Sequence, residues 1–211
     1  MRYSLAAFTA AVALVGAPAS GVAQSGCERE LKMPDAGAWA EYESTFEGQH
    51  TMMRYTRLPK EAEGGKAWIE MNMNKGKSAK DAVIYQVLVP SFPFTLEQVE
   101  TIIFKAGESK ATQAGPMMMR MMSSGLEKSN GLKPADVCKG VTLVGNERIT
   151  VPGGTFSTRH YKNEQEQFET WVSAETPFGL VQAKGRRFDM KLNRSGTDGK
   201  SSIKETPQQM P

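Results

Sequence analysis

Apolar and polar residues alternate with a period of two along residues 147–182, ERITVPGGTFSTRHYKNEQEQFETWVSAETPFGLVQ. The stretch contains four short runs that are rich in β-branched and aromatic residues. A Pro-Gly-Gly turn at 152–154, a polar stretch at 162–167 and a Thr-Pro pair at 176–177 separate them. A period of two is that of a β-strand, so the stretch predicts an antiparallel meander.

Similar runs predict strands on both sides of this meander. They occupy Trp39–Phe46, 51–58, 67–73, Ala82–Val89, 99–104, 141–144, 188–192 and 201–203. One segment differs, because residues 116–123 (PMMMRMMS) begin with Pro and continue with unbranched Met, which predicts a helix. The chain is therefore predicted to be mainly β, with about ten strands and one or two helices.

The turn at residues 152–154 is the sharpest break within the meander. Proline has no backbone N–H, and glycine reaches positive φ without steric cost. We therefore predict that the meander bends or bulges there, with Gly153 or Gly154 at positive φ. The basic cluster at 184–187 lies between two strand-like runs and is predicted to be a solvated hairpin turn.

Several of these turn and core patterns resemble a known family. ITVPGGTF at 149–156, HY at 160–161, TWVS at 170–173 and PFGLV at 177–181 resemble bacterial envelope proteins of the lipoprotein-carrier superfamily, and GAWAEY at 37–42 and AWIE at 67–70 do so more weakly. The resemblance covers the last third of the chain. It implies a strongly curved antiparallel sheet or half-barrel with helices on its concave face, and partners that carry acyl chains. Such motifs transfer fold better than function.

The N-terminus has the form of a secretory leader. Arg2 supplies positive charge, residues 5–15 are apolar, and GVA at 21–23 is a small-residue cleavage site. The apolar run is shorter than the about 18 residues that a spanning helix needs. We expect a cleaved signal peptide at 1–23, one β-rich domain at 24–205 in the periplasm or secreted medium, and a flexible tail at 206–211.

Cys27 and Cys138 are the two cysteines of the chain. In an oxidising compartment an even pair is most simply a disulfide. The alternative is lipid attachment at Cys27, because Ser25-Gly26-Cys27 matches part of a lipobox. Against lipidation, Gln24 stands where such a box has an aliphatic residue, and Cys138 would be left unpaired.

Methionine is the unusual feature of the composition, with 13 in 211 residues. Five lie close together in the predicted helix, and others form pairs on strands; the candidate ligand-binding residues are Met117, Met118, Met119, Met121, Met122, Met71 and Met73. Flexible, polarizable Met side chains suit a core helix or a lid over an apolar cavity. Thioethers also select Cu(I). All three interpretations stay open.

Composition and the absence of known sequence motifs argue against several other classes of function. The net charge of +3 is too small to indicate nucleic-acid binding. The chain contains no metalloprotease motif, phosphate-binding loop or nucleophile elbow. His160 falls in an alternating run with no evident partner, which favours a polar residue on a solvated face. We therefore expect no catalytic residues, no bound metal and no cofactor.

These observations predict a non-enzymatic envelope protein that binds an apolar small molecule, a lipid or the acyl chain of a lipoprotein. The site would lie between the sheet and the Met-rich helix, and the role is compatible with peripheral contact with envelope membranes. The alternative is a periplasmic copper-binding protein that uses the Met-rich segment.

Overall fold

The computed structural model of the chain describes residues 26–60, 62–74, 79–115 and 137–209. These ranges contain one α-helix, α1 (Gly26–Glu30), and short 3₁₀ helices at Glu63–Gly65, Ala79–Asp81 and Leu96–Gln98. The strands are β1 (Trp39–Phe46), β2 (Gln49–Arg57), β3 (Ala67–Asn74), β4 (Ala82–Val89), β5 (Thr101–Ala106), β6 (Thr112–Gln113), β7 (Thr142–Val151), β8 (Gly154–Asn163), β9 (Phe168–Val172), β10 (Leu180–Gly185), β11 (Phe188–Gly196) and β12 (Gln208–Gln209). The mainly-β prediction is confirmed. Strong curvature and a helix on a concave face stay predictions.

All twelve strands belong to one open sheet of order β12-β6-β5-β4-β3-β2-β1-β11-β10-β9-β8-β7. The order contains two meanders, β1 to β6 and β7 to β11, in which strands next to each other in sequence are also neighbours in space. The antiparallel pairing of β1 with β11, from Trp39 opposite Gly196 to Phe46 opposite Phe188, joins the two meanders. Only β12, which runs parallel to β6, departs from antiparallel pairing within the described part of the chain.

Each face of the sheet carries its own hydrophobic core, because side chains alternate between the faces along every strand. The larger core includes Tyr42, Ile69 and Val172, each at most 1% exposed, and α1 packs into it through Cys27. We call the face that carries it the core face. The smaller core lies on the opposite face and includes Trp68 and Ile203.

The C-terminal segment, residues 201–209, begins on that opposite face. It is anchored there by Glu70, which is 2% exposed. The Glu70 carboxylate accepts hydrogen bonds from the backbone N–H of Ser202 at 3.0 and 3.2 Å and from Gln86 Nε2 at 2.8 Å. Buried carboxylates require such partners, since burying an unpaired charge is costly. The predicted strand at 201–203 is therefore wrong, because side-chain hydrogen bonds, and not a backbone ladder, hold this segment.

Beyond this anchor the chain reaches the edge of the sheet, where β12 pairs with β6. Glu205 Oε1 lies 2.6 Å from Lys105 Nζ and accepts a 3.2 Å hydrogen bond from the backbone N–H of Ala111. The Gln208 backbone N–H donates to the carbonyl oxygen of Ala111 at 2.9 Å. The sequence predicted a flexible tail from residue 206, whereas residues 208–209 form a short strand.

We expect the C-terminal segment to loosen under acid. The hydrogen bond from Lys105, with those from the backbone, lowers the pKa of Glu205 from 4.5 to about 2. A lowered folded-state pKa gives stability that is present above pH 4.5 and lost as the pH falls towards 2. The protection of the Gln208 amide against hydrogen exchange, taken relative to its intrinsic exchange rate at each pH, should fall across this window in the wild type. In Glu205→Gln this protection should already be low and should not change with pH there; identical protection profiles of the two proteins would contradict the assignment.

The turn between β7 and β8 has the conformation predicted for it. The two strands pair from Val151 opposite Gly154, and Gly154 has φ of +136°. Gly153 donates its backbone N–H to the carbonyl oxygen of Leu192 at 3.0 Å. The tip of the hairpin therefore packs against β11, and a Cβ at Gly153 would meet Leu192 Cγ at 3.1 Å.

Other differences from the sequence analysis are local. The predicted run at 141–144 and the start of the meander form the single strand β7. Phe178, predicted to begin a strand, lies before β10 in a turn with φ of +63° and is 2% exposed. The basic cluster at 184–187 forms the β10–β11 turn as predicted, because Gly185 pairs with Phe188.

Candidate functional site

A band of apolar side chains crosses four strands of the core face without being fully buried. Residues opposite each other on neighbouring strands share a face, and the register aligns Met53 with Met73 and Val83, and Met71 with Tyr85 and Phe104. All six are half-buried, and together we call them the Met strip: Met53, Met71, Met73, Val83, Tyr85 and Phe104.

The Met strip leads into a group of aromatic rings through Tyr55, which lies opposite Met71. The ring centroid of Tyr55 lies 6.0 Å from that of Tyr42 and 6.0 Å from that of Phe178. The centroids of Phe178 and Phe92 lie 4.9 Å apart, in an edge arrangement. These geometries are the offset and edge contacts that aromatic pairs prefer. The rings form a packed aromatic wall at the centre of the core face.

An apolar cavity of about 20 Å³ lies among these rings; it is lined by Leu31, Tyr42, Tyr55, Phe92, Val137, Phe178, Leu180 and Met190. A volume of this size accommodates about one water molecule. An acyl chain therefore enters only if the aromatic side chains move apart. Phe92 is half-buried, whereas the other three rings are buried, which makes it the ring with the most room to move.

The cavity is uncharged over the physiological pH range. Burial raises the pKa of Tyr55 to about 12, and burial together with the neighbouring Tyr55 raises the pKa of Tyr42 further. The Tyr42 hydroxyl donates a hydrogen bond to the carbonyl oxygen of Leu180 at 3.1 Å. Both phenols therefore remain neutral, which suits a hydrocarbon ligand better than a charged one.

The disulfide-capable pair expected from the sequence is present beside the cavity. Cys27 and Cys138 are joined, with their Cα atoms 5.6 Å apart, and they are 0% and 2% exposed. Two cavity-lining residues, Leu31 and Val137, lie within a few positions of these cysteines. The cross-link thus holds α1 and the start of the second meander at one wall of the cavity.

The predicted site residues divide into two groups. Met71 and Met73 lie in the Met strip, where the alternating pattern placed them on one face. Met117, Met118, Met119, Met121 and Met122 lie outside the described residues, so their role stays a prediction. The sequence analysis missed the aromatic wall, because its rings come from β1, β2 and two loops whose proximity depends on the tertiary fold.

The sequence analysis also missed the surroundings of His160. Its Nδ1 lies 3.1 Å from Glu147 and its Nε2 lies 3.1 Å from Glu169, while its ring stacks on Trp171 at a centroid distance of 4.4 Å. Trp171 in turn donates its indole N–H to Glu147. The cluster ties β7, β8 and β9 together on the face opposite the core face.

Within the described residues, this histidine cluster is not arranged as a metal centre. The two carboxylates contact different ring nitrogens and do not converge on one point. In the part of the chain that the structure describes, no group of three or more His, Cys, Asp or Glu is arranged to hold a metal ion. The cluster is best described as a cross-link between strands. Predicting it required the β7–β8 register, which includes a bulge.

A larger polar groove of about 530 Å³ lies between the β7–β8 hairpin and residues 173–175. Its lining mixes Arg148 and Arg159 with Glu30, Glu147 and Glu175, and Arg159 pairs with Glu30 at 3.1 Å. With both signs of charge present, the groove does not favour ligands of one charge. Within the described ranges, no helix has the length and apolar character that crossing a membrane requires.

Comparison with known proteins gives similarities of structure alone. No family model matches the sequence, and none of the curated proteins matches it. Among solved structures, MucB is similar at 11% identity and a TM-score of 0.44, over 89% of this chain and 64% of that chain. MucB in complex with MucA(peri) is similar at 12% identity and a TM-score of 0.41, over 85% of this chain and 55% of that chain. A DUF1329 family protein from Desulfovibrio piger is similar at 9% identity and a TM-score of 0.34, over 85% of this chain and 90% of that chain. The chain thus spans less than two thirds of the length of either MucB chain.

Proposed function

We propose that this chain is a non-enzymatic protein of the bacterial periplasm that binds an apolar or acylated ligand on the core face of its sheet. The observation that carries the proposal is the Met strip, which presents six half-buried apolar side chains on neighbouring strands. Covering the exposed part of such a side chain contributes up to about 1 kcal/mol. Met side chains adapt to variable apolar shapes, which suits a ligand with a flexible hydrocarbon chain.

Two further features support the compartment and the ligand class. A buried pair of cysteines is typical of proteins that fold in an oxidising compartment. The aromatic wall next to the Met strip carries phenols that stay neutral, so the combined surface offers contact area without charge. Ligand binding would begin on the Met strip and extend between Phe92 and Phe178 as these rings separate.

Consecutive methionines on β2 provide a matched test, since Met53 belongs to the Met strip and Met52 points to the opposite face. We expect Met53→Lys to weaken the binding of N-phenyl-1-naphthylamine about tenfold, because the ammonium group must keep its water. Met52→Lys, which places a cation opposite Glu43, should bind the dye as the wild type does. Dye fluorescence measures the affinity and circular dichroism checks the fold. Equal affinities of the two variants would refute the proposed site.

Copper binding is the second candidate, and one observation favours it. Met53, Met71 and Met73 place three thioethers on one face of two neighbouring strands, and such ligands select Cu(I). Changing all three residues to Leu keeps the surface apolar but removes the sulfur atoms. If the chain binds hydrocarbon, the Leu variant should retain dye binding. If it binds copper, a Cu(I) titration against bathocuproine should show binding that the Leu variant loses.

A further inference from the structure

A pocket of about 440 Å³ lies on the face opposite the core face. On the sheet side its lining includes Gln86 of β4 and Ile103 of β5, which lie opposite each other in the register. The chain between Lys200 and Pro207 forms the facing wall. Pockets of about 300–1,000 Å³ are typical of small-molecule sites. Because the sheet separates this pocket from the Met strip, a ligand bound here is distinct from the one proposed for the core face.

Polar contacts fix the facing wall to the sheet. Gln86 Nε2 donates hydrogen bonds to Glu70 and to Ser201 Oγ, each at 2.8 Å. The Glu205 carboxylate lies 2.6 Å from Lys105 Nζ of β5. The walls of the pocket are therefore held by contacts within the protein, and a preformed pocket lowers the entropic cost of binding.

Apolar side chains make up the base of the pocket. Leu58, Ile103 and Ile203 line it, and all three belong to the smaller hydrophobic core. Pro59 and Pro207 add apolar atoms nearer the surface. This lining favours a ligand with a hydrocarbon or aromatic group, because contact removes both apolar surfaces from water.

Two ammonium groups stand beside this apolar lining. Lys60 and Lys200 are exposed and line the pocket, and neither forms an ion pair with a carboxylate of the described residues. Lys60 Nζ lies 4.2 Å from the ring centroid of Trp68, a residue of the same core. This cation–π contact holds the ammonium near the pocket and provides no negative charge. Both lysines are therefore available to an anion.

The carboxylates around the pocket are engaged by other groups. Glu205 is paired with Lys105. Glu70 is 2% exposed, and its oxygens accept hydrogen bonds from backbone and amide donors. Asp198 accepts a 2.8 Å hydrogen bond from the indole N–H of Trp39. The accessible charge at the pocket is therefore positive, which is complementary to an anionic ligand.

We propose that this pocket binds a small anionic amphiphile, in which a hydrocarbon chain or an aromatic ring carries one carboxylate. The apolar part of the ligand lies against Leu58, Ile103 and Ile203. The carboxylate accepts charge-assisted hydrogen bonds from the ammonium groups of Lys60 and Lys200. The aliphatic stems of the two lysines cover the ligand, while their charged ends stay in contact with water.

Two dyes that differ by one sulfonate group test the proposal. 8-Anilino-1-naphthalenesulfonate is the anionic counterpart of N-phenyl-1-naphthylamine, and its sulfonate stands in for a carboxylate. The double variant Lys60→Gln, Lys200→Gln should bind the anionic dye about tenfold more weakly than the wild type and the uncharged dye equally well. The control Lys184→Gln, Arg186→Gln removes two positive charges from the β10–β11 turn and should bind both dyes as the wild type does. Fluorescence titration measures the affinities, and circular dichroism checks the fold.

Three results would overturn the proposal. The first is a wild type that does not bind the anionic dye, and the second is an equal change of its affinity in the two double variants. The third concerns Met53→Lys, which alters the site proposed on the core face and should leave the affinity for the anionic dye unchanged. A loss in that variant would place the anionic dye on the core face.

Displacement and hydrogen exchange test the ligand class and its location. Decanoate should displace the anionic dye from the wild type, whereas decanol, which has the same chain without the charge, should displace far less. Bound decanoate should also increase the protection of the Ser202 amide against hydrogen exchange, because this amide lies in the facing wall and donates to Glu70. Equal displacement by the two compounds, or unchanged protection of Ser202, would contradict the proposal.

Discussion

Replacing Cys27 and Cys138 with Ser should lower the melting temperature of the protein by about 8–16 °C, as judged from an entropic contribution of about 4 kcal/mol. The bond closes a loop across 111 positions of sequence, so it greatly restricts the unfolded chain. Because the sulfurs are 0% and 2% exposed, dithiothreitol should reduce the native protein slowly and the denatured protein quickly. Thermal melts of the oxidised, reduced and Ser-substituted protein measure the effect.

Two results would contradict this prediction. Unchanged melting of the double Ser variant would show that the bond does not stabilise the folded protein. An intact mass of the exported protein that includes an acyl group on Cys27 would show lipidation in place of the bond. The structure also predicts a local consequence, because Leu31 and Val137 line the cavity near the cysteines. Reduction should therefore increase dye binding by loosening one wall of the cavity.

Changing Gly179 to Ala should destabilise the protein by about 3 kcal/mol or more, through two separate effects. Gly179 has φ of +79°, which costs an L-residue about 1–2 kcal/mol. A Cβ there would also lie 2.1 Å from the carbonyl oxygen of Glu30, at the end of α1. Backbone atoms cannot yield as a flexible side chain can, so α1 or the turn before β10 must shift. The melting temperature should fall by about 6–12 °C.

Gly48 supplies the control for this prediction. Its φ is +81°, almost the same as that of Gly179, but a Cβ at Gly48 would meet nothing within 4 Å. Gly48→Ala should therefore cost only the backbone term of about 1–2 kcal/mol. The difference between the two variants isolates the close approach of the β9–β10 connection to α1. If both variants melt at the same temperature, that contact has no energetic importance.

Local patterns predicted the first meander well. Trp39–Phe46 and Ala82–Val89 were predicted with the bounds that the structure shows, because β-branched and aromatic residues there end at clear turn signals. The periodicity also placed Met71 and Met73 on one face correctly. Here each strand pairs with its neighbour in sequence, so local alternation and turn chemistry carry most of the information.

The misses occur where distant parts of the chain meet. The 201–203 segment looks like a strand but is held by the side chain of Glu70, which is more than 130 positions away. His160 looks isolated until the bulged β7–β8 register brings Glu147 beside it. Phe178 continues an apolar run, yet the packing of its ring against Tyr55 and Phe92 requires a turn. None of these partners can be read from spacing along the chain.

The way in which the two meanders are joined makes the protein a natural candidate for assembly from two fragments. The chain passes from β6 to β7 between opposite regions of the sheet. The contacts between the two halves include β1 against β11, β12 against β6, and the bond between Cys27 and Cys138. A cut in the connection between β6 and β7 would leave every strand pair of the sheet intact. The two pieces would remain covalently linked under oxidising conditions. A polypeptide broken there would thus behave as a two-chain protein.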